Sequence, residues 1–210
     1  MSAARRYRFV LPAGWGYLAA SESVEAAVAR LVPDDGPTAG RAALAKLRPV
    51  LRQQLRSLRG RTVASGGVDI LLPVAPRAGA IIPANIVIAR PGAEERSEYA
   101  SGGLPTGWAS AEGGADRSER RADLIGELPV TRHLRVRREQ TDEAGTTADL
   151  IRVDYFIPVS PERERELALI VSATVLGRVG DERLPPSTVE VLVTLVDAII
   201  HTFQWEEPPR

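Results

Sequence analysis

Asp149-Leu150-Ile151-Arg152-Val153-Asp154-Tyr155-Phe156-Ile157-Pro158-Val159 is the stretch whose reading decides the fold. Side chains of an extended chain alternate between two faces, so Ile151, Val153, Tyr155 and Ile157 share one face, which must meet a core. Two companion runs flank it, Gly126 to Arg138 and Leu167 to Leu176, the second placing Leu167, Leu169 and Val171 together. The connections, Thr141-Asp142-Glu143-Ala144-Gly145 and Pro161-Glu162-Arg163-Glu164-Arg165, are short and polar. A parallel crossover needs a dozen or more residues, so strands joined this tightly form an antiparallel meander.

Upstream, Val68 to Val74 and Ile81 to Ile88 are β-rich runs joined around Arg77-Ala78-Gly79 and read as a hairpin, with Pro73 and Pro83 arguing for an edge or a bulge. Before it, Thr38 can cap a helix on which Leu44, Leu47, Leu51, Leu55 and Leu58 form a stripe, with Pro49 imposing a kink or two abutting helices near Arg48. Ser23 caps a shorter helix with Val24, Val28 and Leu31 on one face, stopped by Pro33. Tyr7 to Leu11 reads as an edge strand that ends in the turn Pro12-Ala13-Gly14-Trp15, with Trp15 packed under the domain. Downstream, Ser187 caps the strongest helix, with Val189, Leu192, Val193, Val196, Ile199, Ile200 and Phe203 on one stripe and Trp205 closing it. Between hairpin and meander, the segment 92–121 reads as a flexible excursion rich in Gly, Ser and Ala. The expectation is one α+β domain over residues 1–210, a central antiparallel sheet covered by N-terminal and C-terminal helices.

The order of these elements resembles that of a known family. A strand ending Leu11-Pro12-Ala13-Gly14-Trp15 is followed by a helix and a hairpin. The run Gly126-Glu127-Leu128-Pro129-Val130-Thr131-Arg132 then leads into a meander, and a last helix ends Asp197-Ala198-Ile199-Ile200-His201-Thr202-Phe203-Gln204-Trp205. Together these resemble the PsbP-like superfamily, which includes the extrinsic photosystem II protein, a Ran-binding nuclear import factor and small actinobacterial proteins and lipoproteins. The resemblance implies an α/β/α sandwich and action by binding other proteins rather than by catalysis. The long Leu-striped helix and the 92–121 excursion depart from the superfamily pattern, as does the lack of a lipoprotein leader and lipidated cysteine.

Composition narrows the function classes. The 27 acidic and 27 Lys and Arg residues balance, so no global field favours nucleic acid or an anionic membrane. One base, Lys46, is lysine and the rest are arginine, which points to a GC-rich, actinobacterial genome. The sequence has no cysteine, which excludes disulfides, thiol nucleophiles and Cys-ligated metal centres. The opening residues lack the apolar stretch of a signal peptide, and no run is long enough for a membrane helix, so the cytoplasm is the expected location.

No catalytic, cofactor or metal constellation stands out. His133 and His201 are the two imidazoles, nearly seventy residues apart and without acidic neighbours at ligand spacing. Ser110 in Gly107-Trp108-Ala109-Ser110-Ala111 lacks the paired glycines of a nucleophile elbow, and the Gly-Gly pairs lack the lysine and spacing of a phosphate loop. The most charged feature is the stretch 117–138, with Arg132, His133, Arg135 and Arg137 read as a polar, exposed face. Such a face is either solvated or grips an acidic partner segment. Interleaved aromatics, which single-stranded nucleic acid would need, are missing. Tyr99, Leu104 and Trp108 lie isolated among small and acidic residues and either tuck back onto the domain or dock on a partner.

The leading expectation is a non-enzymatic adaptor, chaperone or scaffold that uses Arg132, His133, Arg135, Arg137, Tyr99, Leu104 and Trp108 to hold a protein partner, with no cofactor. An actinobacterial setting extends this to a secretion or injection apparatus, on lineage alone. The alternatives are a small-molecule binder or hydrolase with a pocket between sheet and loop, and a structural subunit of a homo-oligomer or larger assembly built on the helix 38–59.

Overall fold

The structure is a computed structural model and describes residues 6–19, 21–31, 52–53, 55–56, 59–60, 63, 66–75, 82–105, 117–141, 147–179 and 182–206. Seven strands form one sheet in which every pair is antiparallel: β2 (Trp15–Ala19), β3 (Gly67–Pro73), β4 (Ala84–Ala89), β8 (Leu167–Leu176), β7 (Thr147–Pro158), β6 (Leu128–Thr141) and β5 (Arg117–Ile125), in that spatial order. The expected meander is thus β6, β7 and β8, and the expected hairpin is β3 and β4. Short β1 (Tyr7–Arg8) pairs with β11 (Gln204–Trp205), tying the two ends of the chain together, and β9 (Arg178–Val179) pairs with β10 (Glu182–Arg183).

Helices lie on both faces. α3 (Pro186–His201) covers one, burying Leu192, Val196, Ile199 and Ile200 against Ile86, Ile88, Val153, Tyr155, Ile157, Leu169 and Val171. Each such aliphatic side chain, once fully buried, contributes about 1.5–3 kcal/mol. On the other face, α1 (Val24–Leu31) sets Val24, Ala27 and Val28 on Leu18, Ile70 and Leu55. α2 (Ala93–Ala100) places Tyr99 on Phe156, Leu167 and Ile170. Ser23 caps α1 as expected, its Oγ accepting from the Ala26 N–H at 3.1 Å. Leu55 is buried and helical, while Leu44, Leu47, Leu51, Leu58 and Pro33 lie outside the described residues.

Several local expectations are corrected. The turn at residues 12–15 itself closes as read, the Trp15 N–H donating to the Pro12 carbonyl at 3.1 Å with Gly14 at a φ of 85° that suits glycine, and the buried Trp15 also opens β2. Pro73 and Pro83 do not mark a sheet edge, since β3 and β4 are interior strands; Pro73 ends β3 and Pro83 precedes β4. Leu167 leaves the face of Leu169 and Val171 because the register shifts between Ile157 and Pro158. α3 starts at Pro186 after Pro185, whose fixed φ suits the first turn, so Ser187 lies inside the helix. The 92–121 excursion contains α2 and the first half of β5.

Candidate functional site

Strand β6 brings most of the candidate residues together, and it does so on both faces of the sheet. Arg132 faces α3, whereas His133, Arg135 and Arg137 alternate onto the opposite face. The expected exposed row does not exist, since Arg132, His133 and Arg135 are 4%, 0% and 2% exposed and Arg137 is half-buried. The misreading came from treating arginine as a surface marker; here each buried guanidinium meets a carboxylate from another element.

Under α3, Arg132 donates to both oxygens of Asp197, at 3.2 and 2.8 Å, and the Tyr155 hydroxyl donates to Asp197 Oδ1 at 3.0 Å. Burial opposes the Arg132 charge, but Asp197 and Tyr155 outweigh it and hold the guanidinium above its ordinary range. Burial, with the Asp197 charge, raises the Tyr155 phenol well above its usual value. Beside this group, His201 stands edge-on to the Tyr155 ring, its Nδ1 2.7 Å from the Asp197 carbonyl oxygen and its Nε2 3.5 Å from Asp123 Oδ2. Desolvation pushes the Asp123 carboxyl up, but the Leu124 amide, His201 and Arg121 more than offset it and the carboxyl lies low.

On the opposite face, Asp154 is fully buried and accepts from Arg135 at 2.5 Å and from Arg152 at 2.9 Å. Arg152 also donates to the Ser172 hydroxyl at 2.8 Å. His133 lies opposite Asp154 in the ladder, and its Nε2 shares a 2.8 Å hydrogen bond with Ser118 Oγ on β5. A nucleophile beside a base is the first requirement of covalent catalysis, and the second is an acid that orients the ring. The carboxylate facing His133 is committed to two guanidiniums.

Tyr99 tucks back: it lies on α2, buried, stacked on Phe156 at 6.0 Å between centroids. Desolvation raises its phenol above the ordinary range. Leu104 is half-buried against the same cluster, and Trp108 lies outside the described residues. Among the described residues no group of three or more His, Asp or Glu side chains could hold a metal ion, and no helix is long and apolar enough to cross a membrane.

Three features escaped the sequence reading. The first is β5, the last strand of the sheet, with Arg117, Ser118, Arg120 and Arg121 exposed and one described neighbour, β6. Its mixed charges hide the alternation that marks a strand; the signal was the two-residue turn Gly126-Glu127 joining it to β6, with φ 62° at Gly126. The second is a cleft of about 600 Å³ around Asp69, whose two oxygens accept from the phenols of Tyr7 and Tyr17. Burial and the Asp69 carboxylate raise both phenols far above the usual tyrosine range. The third is a groove of about 700 Å³ between the first half of α3 and strands β6 and β7. No protein-family model matches the chain and no curated protein is detectably similar to it, so its geometry carries the functional reading.

Proposed function

We propose that this chain is a protein-binding adaptor or scaffold domain, a PsbP-like α/β/α sandwich, that receives an extended acidic segment of a partner along β5. One observation carries the reading: a nine-residue strand at the end of the sheet presents Arg117, Arg120 and Arg121 to solvent. The outer side of an edge strand is a row of main-chain donors and acceptors, which an added strand satisfies, while flanking charges select the partner. Arg117 and Arg121 bridge Glu119 and Asp123 of the same strand at 3.1 and 3.6 Å, and Arg120 leaves the strand with a net positive charge that favours carboxylates. Arg132 and Arg135 serve this surface indirectly, fixing β6 and so the β5 that pairs with it.

The test is a titration of the isotope-labelled chain with a glutamate-rich peptide, followed by amide chemical shifts. Shifts concentrated on residues 117–125, and lost in Arg120→Glu/Arg121→Glu, support the reading. Shifts confined to other surfaces, or unchanged by the charge reversal, overturn it.

A further inference from the structure

The groove beside α3 has a shape and polarity that the edge-strand reading does not use. α3 sits unevenly on the sheet: Val196, Ile199 and Ile200 are fully buried and Leu192 nearly so, whereas Val193 and Val189, one and two turns before Val196, are only half-buried. Its N-terminal half therefore covers the strands less completely. The space beneath is floored by Leu134 and Val136 of β6 and Ile151 of β7, with Leu184 at its end.

The rim has a different character. Arg117, Arg138 and Arg183 surround the apolar floor with two carboxylates, Asp149 and Glu190, and Arg117 also bridges Glu119 at 3.1 Å. Asp149 is bridged by Arg183 at 2.8 Å within the wall, and Glu190, exposed, lines the mouth on the helix side. The N-terminus of the sixteen-residue α3, which carries no acid in its first turn, adds a positive end at the same mouth. A volume of about 700 Å³ is that of a small-ligand site, and an apolar lining with a few convergent polar groups is the usual make-up of one.

We propose that this groove binds a single-chain amphipathic anion, an alkyl chain along Leu134, Val136, Ile151, Val189 and Val193 with its anionic head at the arginine rim. The chain removes from water the half-buried Leu134, Val136, Val189 and Val193, and the head meets guanidiniums suited to carboxylate or phosphate oxygens.

Calorimetric titration of the full chain with dodecanoate, dodecyl phosphate and dodecyltrimethylammonium, each below its micelle concentration, tests this. Saturable single-site binding of either anion, with the cation at least about tenfold weaker, is the expected result. Val193→Trp, which fills the groove, should lower anion affinity by about tenfold or more, and Arg138→Glu, on an exposed side chain needing no repacking, should shift the preference towards the cation. Equal binding of anion and cation, or anion binding untouched by both variants, overturns the proposal. So does the absence of saturation, or co-sedimentation with phosphatidylglycerol vesicles without binding of the monomeric anions, which would assign the basic rim to a membrane surface.

Discussion

Asp197 holds the most heavily committed carboxylate under α3, serving Arg132 through two hydrogen bonds and Tyr155 through a third. Replacing a buried ion pair by apolar residues can be neutral, but removing one partner strands a buried charge. Asp197→Ala should therefore cost about 3–5 kcal/mol in denaturant unfolding. Asp197→Asn, which keeps an acceptor but not the charge, should cost less than Asp197→Ala, and an Asn variant as stable as the parent would refute a role for the charge. Gly177 makes a different kind of demand. A Cβ added there would lie 2.8 Å from the Asp149 Cβ, so Gly177→Ala must displace the Asp149–Arg183 bridge. A destabilisation of about 1–3 kcal/mol is the expected outcome, read from the thermal midpoint.

At the scale of elements, the meander was legible because its alternation is strong and its loops short, and α3 because its stripe is long. The short α2 was not, since Ala93-Glu94-Glu95-Arg96-Ser97-Glu98-Tyr99-Ala100 buries a single side chain and shows no apolar stripe. Its one sequence signal was the cap, where the Gly92 N–H donates to Glu95 Oε2 at 2.6 Å three residues on. The candidate site was misassigned for a related reason: a period-two reading separates Arg132 from His133 and Arg135 but cannot say that Asp197 and Asp154 come to meet them. Long-range partners carry no local signature. α3 also offers a graded test of its seat on the sheet. Ile200→Ala, at the fully buried end, should lose about 2–5 kcal/mol, whereas Val191→Ala, on the exposed side, should lose less than about 0.5 kcal/mol.

Across the whole molecule, Tyr7, Tyr17, Tyr99 and Tyr155 are the four tyrosines of the sequence, and burial raises the phenol of every one. An acid whose folded pKa exceeds its unfolded value, here about 10, binds its proton more tightly in the native state. The stability this contributes is complete below that pH and is lost as the pH climbs towards the folded values. Spectrophotometric titration should find no phenolate at the ordinary tyrosine pKa, and phenolate absorbance should rise together with alkaline unfolding. Tyr99 or Tyr155 ionising near pH 10 in the folded chain would contradict their burial.

The alternation of charge along β6 has a consequence for how the sheet assembles. Slipping β6 by one residue against β7 would turn Arg132 towards the Phe156 side and push His133 and Arg135 under α3, away from Asp154. Every side chain would change faces, and three buried cationic or polar groups would lose their counterparts together. A slip that exchanged only Val for Ile would cost little; this one is penalised on both faces at once. The paired charges thus act as a register key, favouring this alignment of β6 over its one-residue neighbours.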